Sequence, residues 1–419
     1  MKKLFKGNFV YTPEPDRLCI EEGRYLLTED GVIKGFFAEP PQGAPEAEDL
    51  GGGLVFPAFS DTHIHGPQFP MAGLGMDKEL LPWLETYTFP MERRYADNDL
   101  AEALYKRFFH DLWLHGTLHI SAFTTVHKES AFRFMELMEE AGIGGYAGKV
   151  NMDRNSPDYL QEDSRRSLEE TKELIERSRA LRRVSYILTP RFVPSVTPEL
   201  MTALGRLAEE YDLPIQSHLS ENQGELDWVA SLHPECASYT DVYQTYGLLR
   251  PGKTIMAHCI WLNERERQQL KEQGVWIAHC AMSNLDLASG IMPLRTYLDE
   301  GQRCTLASDI AGGHAMAMPR NIVATIQAAN MKTVETGCGR VSLTETLYLA
   351  TKGSGAFFGN TGSFEPGYAF DAIVTRPIEP DHPIAYTRQE QVEKFIYGYE
   401  AGMIEKRYRL GTCLPKPFC

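Results

Sequence analysis

Between Leu54 and Gly359, apolar runs alternate with long amphipathic stretches rich in Glu, Arg, Leu and Ala. The runs LVFPAFSDTHIH, LHISAF, GYAGKVNMD, SYILTPRF, LPIQSHLSE, KTIMAHC, VWIAHC and CTLASD predict strands. Stretches such as DLAEALYKRFFHDLWLHG, SRRSLEETKELIERSRALR and TPELMTALGRLAEEYD carry the helical period between them. Continuous apolar strands separated by amphipathic helices indicate a parallel sheet covered on its faces. This is an α/β pattern, and its eight units fit a (β/α)8 TIM-like barrel slightly above the usual length of about 250 residues. An open doubly wound sheet is the alternative.

The flanks follow another pattern. LFKGNFVYT and CIEEGRYLLTEDGVIKGFFAE read as short strands, with EDG as a hairpin turn. EPPQGAPEAEDLGGG reads as a loop. After Gly359 turn residues recur around β-type runs such as DAIVTR. The expected division is a barrel over residues 54–359, bracketed by one small β domain built from residues 1–53 and 360–419.

Composition narrows the class. The chain has 419 residues, 43% of them hydrophobic, and a net charge of −15. That suits a large core and argues against nucleic acid, whose phosphates call for Lys/Arg stripes. No apolar run approaches the roughly 18–20 residues of a membrane span, and the first residues lack the apolar segment of a secretion signal. The eight cysteines, Cys19, Cys236, Cys259, Cys280, Cys304, Cys338, Cys413 and Cys419, contain no CxxC pair and read as reduced thiols of a cytoplasmic protein.

The chemistry collects at strand ends. His63 and His65 stand two apart, so in a strand both project from one face. An isolated HxH is more often structural than not. In a barrel of this type, however, the site lies at the C-terminal ends of the strands. There the other runs bring Arg191 and Phe192, His218 with Glu221 behind it, His258, His279 and Asp309. Three neutral imidazoles, His63, His65 and His218, with the Asp309 carboxylate form a metal donor set that leaves room for water. A metal in that place lowers the pKa of water from 15.7 towards about 7. Asp309 can also hold the water's proton, and Glu221 is placed to carry protons to substrate and leaving group. His258 could ligate, orient the water or stabilise charge; His279 fits a supporting or core role.

DTHIHGPQ, LLPWLETYTFPMERRY, GKVNMD, TPRF, SHLSEN, MAHC, IAHCAMSNL, SDIAGG and the closing GSFEPGYAFDAIV together resemble the amidohydrolase superfamily and, within it, the guanine deaminases. HxH marks only the superfamily; HIHGPQ with WLETYTFPME and TPRF is more specific. The resemblance spans nearly the whole chain. It implies a mononuclear zinc aminohydrolase on a (β/α)8 barrel with a β-sandwich side domain, acting as a homodimer on a small purine. Iron or manganese would fit the same donors. TPRF stands where dinuclear relatives carry a bridging lysine, which fits one metal. HCAMSN departs from the family's usual HCP.SN, so Met282 is expected to reshape the pocket wall.

The implied reaction is hydrolysis of guanine to xanthine and ammonia, with Glu221, Asp309 and His258 as catalytic groups. Gln68, Arg191, Phe192 and His258 are the expected substrate contacts. Gln68 offers an amide that donates and accepts, Arg191 a fork for the purine carbonyl, and Phe192 a face for stacking. The bland alternatives are a loop Gln, an ion-paired Arg and a core Phe. The nearest functional alternative is a deaminase of a related purine, pyrimidine or triazine. The alternative from another class is a non-catalytic scaffold, which has no use for Glu221. His233 and Glu235 mimic a cytidine-deaminase HxE but lack the later PCxxC. His110, His115, His119 and His127 are read as structural, GSGAFFG as a helix stop, and Cys259 and Cys280 as packing residues.

Overall fold

The computed structural model describes residues 1–379 and 382–418. Among the described residues, seventeen strands are arranged in four sheets. The first four are β1 (Lys2–Glu14), β2 (Arg17–Glu29), β3 (Val32–Phe37) and β4 (Ala47–Pro57). Then come β5 (Phe59–His65), β6 (Thr117–Phe123), β7 (Gly144–Gly148), β8 (Val150–Asn151), β9 (Val184–Tyr186) and β10 (Thr189–Pro190). They are followed by β11 (Ile215–Leu219), β12 (Thr254–His258), β13 (Trp276–His279) and β14 (Arg303–Leu306). The chain closes with β15 (Ala372–Thr375), β16 (Ile404–Arg409) and β17 (Thr412–Cys413).

Two parallel four-stranded sheets, β5-β6-β7-β9 and β11-β12-β13-β14, form the centre. A bridge from Leu188 to Ile215 joins them on one side. On the other, the Asp309 N–H donates to the His63 carbonyl at 3.0 Å and the His65 N–H to the Ile310 carbonyl at 3.1 Å. Helices Asn98–His115, Ser164–Ser178 and Pro198–Glu210 fall on the predicted amphipathic stretches. Each buries its apolar stripe in the core; Phe108 and Phe109 from the first meet Phe134 of the neighbouring helix Lys128–Glu140 at ring centroid distances of 5.6 and 4.8 Å. This is a TIM-barrel-type α/β fold.

Both ends of the chain share one seven-stranded sheet, β17-β16-β15-β4-β1-β2-β3. Its own core holds Phe5, Phe9, Phe364, Phe370 and Tyr408, with Phe5 stacked on Phe370 at 4.4 Å. Arg407 ties it to the centre by donating to the carbonyls of Trp113 and Leu114 at 2.8 and 2.6 Å.

Two local expectations need correction. EDLGGG is not loop but part of β4, pairing in parallel with β1 through Ala47, Glu48 and Asp49. A side chain at Gly53 would run into the Thr375 carbonyl, so only glycine admits that approach. LVFPAFSDTHIH is likewise two strands: β4 ends at Pro57, and β5 starts after Ala58 in a different sheet. The hairpin at Asp30–Gly31 forms as expected, with both residues at positive φ. Seven cysteines are free thiols, while Cys419 lies outside the described residues. No helix among the described residues is long and apolar enough to cross a membrane.

Candidate active site

The predicted strand-end residues converge at one end of the two parallel sheets. Nε2 of His65 lies 3.2 Å from Nε2 of His63 and 3.2 Å from Nε2 of His218. Oδ1 of Asp309 is 3.1 Å from the His63 nitrogen and 3.2 Å from the His65 nitrogen. His63, His218, His258 and Asp309 also offer donor atoms all within 4.8 Å of one another. All five side chains are largely buried.

The donor chemistry fits a cation. Ligands ~2.0–2.1 Å from a common centre at near-tetrahedral angles stand ~3.2–3.4 Å apart, the spacing of these atoms. The His218 Nδ1–H donates to the Arg191 carbonyl at 2.6 Å, which turns the lone pair of Nε2 towards the cluster. Burial lowers the His63 pKa to about 4 and holds His218 well below its ordinary value, so both stay neutral and could serve as ligands. Burial opposes ionisation of Asp309, yet the facing imidazoles hold its carboxyl well below the usual range.

Backbone strain aims these groups. His258, Cys259 and Asp309 have φ of 70, 50 and 48°, a left-handed region that costs non-glycine residues about 1–3 kcal/mol each. Asp309 lies in the loop three residues past β14 rather than on the strand. The adjacent Gly312 leaves room for it, because a Cβ there would stand 2.8 Å from Asp309 Oδ2.

Glu221 sits beside the cluster, with Oε2 3.4 Å from His258 Nε2 and Oε1 3.3 Å from the Ser289 hydroxyl. Burial, then the Asp309 and Glu225 carboxylates, push its pKa well above the ordinary value. His258 donates from Nδ1 to Asn284 Oδ1 at 2.8 Å, which leaves Nε2 as an acceptor facing Glu221 and Asp309. Glu225 accepts from the Glu221 and Asn222 N–H groups at 2.9 and 3.3 Å and from the Tyr239 hydroxyl at 2.8 Å. It thereby pins the turn that carries Glu221.

A cavity opens on this cluster. Gln68, Arg191 and Phe192 line it with His65, His218, Glu221 and Asp309, and Leu80, Trp83, Leu84 and Leu287 supply an apolar wall. Phe192 makes an edge contact with Trp228 at 6.0 Å. Arg191 is both a cavity residue and ion-paired: its Nη1 donates to Glu92 Oε1 and Oε2 at 2.9 and 2.7 Å. Gln68 donates from Nε2 to the same carboxylate at 3.1 Å.

Met282 corrects an expectation. It lies on the helix Ala281–Asp286, packs with Ala281, Ala324 and Ala328, and is not among the residues that line the cavity. His279 is buried, with its pKa lowered to about 4 by burial. Cys259 and Cys280 pack in apolar clusters. His110, His115 and His119 pair with Asp111, Tyr399 and Asp371, and His233 with Glu235 and Arg154.

Sequence reasoning missed Glu92, Glu225, Asn284 and Asp61. Asp61 stands two residues before His63; it accepts from the N–H groups of Ser308 at 3.1 Å and His63 at 3.3 Å and from the Ser308 hydroxyl. Burial raises its pKa to about 7, against those donors. Glu92 is reached through a π-helical turn, Leu84–Thr88, inside the helical segment Leu80–Arg93. At about 100° per residue, eight positions past Leu84 would lie about 80° off its face; the extra residue of a π turn brings Glu92 back to within about 20°.

The Amidohydrolase family model matches residues 54–404. A guanine deaminase of Dictyostelium discoideum is 37% identical over 425 residues, covering 94% of each chain. That of Escherichia coli K12 is 38% identical over 369 residues, covering 85% of this chain and 82% of its own. The crystal structure of the guanine deaminase from C. acetobutylicum, with guanine bound in its active site, superposes with a TM-score of 0.96. It is 41% identical and covers 99% of this chain and 100% of its own. The chain belongs to the amidohydrolase family and, within it, to the guanine deaminases.

Proposed function

We propose that this protein hydrolyses guanine to xanthine and ammonia, with the metal held by His63, His65, His218 and Asp309. The observation that carries the reading is a cavity lined by His65, His218 and Asp309 of this donor set, with His63 in contact with them, and by the buried acid Glu221, Arg191 and Gln68. The metal is read as one zinc ion per chain, which when bound supplies a nucleophile from water at neutral pH.

The remaining steps belong to side chains. Glu221, kept protonated by burial, donates to the ring nitrogen beside C2 as the amino-bearing carbon is attacked. Its link to His258 gives the proton taken from water a route to the departing ammonia. Asp309 accepts that proton first, and His258, its tautomer set by Asn284, orients the water by accepting from it at Nε2. Arg191 donates to the purine carbonyl, Gln68 reads the neighbouring edge and Phe192 stacks on the ring.

Further readings rest on the same basis. The eight central strands are taken as a closed (β/α)8 barrel over residues 54–359. Residues 1–53 and 360–419 are taken as a side domain folded as a β-sandwich. The protein is read as a cytoplasmic homodimer.

A panel of guanine, adenine, cytosine and an amino-triazine, assayed for ammonia release beside metal analysis, tests the reading. Turnover of guanine with little or none of the others is expected. A site that binds a polar edge rejects analogues lacking it, because its own groups are then buried unpaired. Faster release from cytosine or the triazine would overturn the substrate assignment, and absence of metal from the active protein would overturn the donor set.

A further inference from the structure

Glu92 lies outside the cavity lining, yet it holds two side chains that line it. All three groups are buried: Gln68 is 2% exposed, Glu92 2% and Arg191 3%. An ionised carboxylate only accepts hydrogen bonds. The Gln68 amide must therefore turn Nε2 to Glu92, which leaves its carbonyl oxygen directed elsewhere. Arg191 gives both of its Glu92 contacts from Nη1, and among the described residues Nη2 and Nε donate to no protein group.

Resting on the guanine reading above, we infer that Glu92 is a specificity-setting positioning residue: it fixes Gln68 as an acceptor and Arg191 as a donor, so that the cavity reads an oxo-purine with adjacent C=O and N–H groups. Without Glu92, Gln68 can present either end of its amide, and the Arg191 fork loses its anchor. Both changes weaken recognition of the oxygenated edge while leaving the metal donors and Glu221 in place. The proposal separates Glu92 from Glu225, whose carboxylate caps the turn after β11 and sets the position of Glu221.

The test compares guanine with 2-aminopurine, which keeps the C2 amino group but lacks the C6 oxygen and N1–H. For wild type, Glu92→Gln and Glu92→Asp, each metal-loaded, one measures metal content, kcat and KM for both bases. Glu92→Gln is expected to keep its metal and to lower kcat/KM for guanine by at least ~10-fold, mainly through KM. The loss for 2-aminopurine should be under ~2-fold, so that the preference for guanine narrows by at least ~5-fold. Glu92→Asp keeps the charge but falls short by one methylene, and its preference should lie between the two; it carries the test if the Gln variant does not fold. A purely structural role lowers both substrates together, so an unchanged ratio in both variants overturns the proposal. Wild-type protein that releases no ammonia from guanine overturns the functional reading and this inference with it, whereas wild-type turnover with an unchanged ratio overturns Glu92 alone.

Discussion

Arg191→Met should destabilise the fold as well as silence it, and the two effects should separate. The side chains of Arg191 and Glu92 are 4% and 3% exposed. Removing the guanidinium leaves the Glu92 carboxylate buried with the Gln68 amide as its remaining donor. Breaking a buried pair from one side costs about 3–5 kcal/mol, because the surviving charge keeps its desolvation penalty. Unfolding entropy of about 2.1 cal/mol/K per residue gives roughly 0.9 kcal/mol/K for 419 residues, so Tm should fall by about 3–6 °C. Glu92→Met should cost a similar amount for the mirror reason. The double variant removes both charges in exchange for apolar side chains, and should recover much of the loss, with a coupling of ~2–3 kcal/mol. It should remain inactive on guanine, since the donor and its anchor are both gone. Urea unfolding of the four metal-loaded proteins, with calorimetry at one scan rate, measures the cycle. Additivity within ~0.5 kcal/mol would refute the argument that this pair is desolvated and mutually compensating.

Glu221→Gln keeps shape but cannot transfer a proton, so turnover should fall by at least ~10² with metal content unchanged; near-normal turnover would remove Glu221 from the mechanism. His218→Ala should lose metal and activity together, and stoichiometric metal retained in a His63→Ala, His218→Ala double variant would refute the donor set. His115 supplies a pH dependence. Burial, with Arg320 and Arg407 nearby, lowers its pKa to about 4 although Asp111 opposes this. The unfolded state therefore binds more protons between pH 6.5 and 4, and the stability present above that window is lost as pH falls through it. The difference is worth about 3 kcal/mol. His115→Gln, which can still bond Tyr399, should flatten that part of the urea-midpoint profile, and a profile parallel to wild type would refute the assignment.

The strand ends and the long helices were legible because local periodicity reports them. Two-residue alternation put His63 and His65 on one face, and amphipathic spacing located Asn98–His115 and Ser164–Ser178. His218, His258 and Asp309 could then be placed together once those runs were counted as parallel strands. What lacked a period was settled by tertiary contact. Ala47–Gly53 is polar and glycine-rich, and it becomes strand because β1 lies beside it. Glu92 finds Arg191 across 99 residues, and Asp61 finds Ser308 across 247. A buried polar group takes whichever partner the fold brings within reach, and no local pattern records that choice. Met282 is the converse: next to the site in sequence, it packs against Ala324 and Ala328 and stays out of the cavity lining. The sequence by itself located the candidate donors and the candidate acid, since they sit at or just past the ends of periodic elements. Only the packed structure decided how Gln68 and Arg191 are oriented, because a single carboxylate from a separate helical segment holds both.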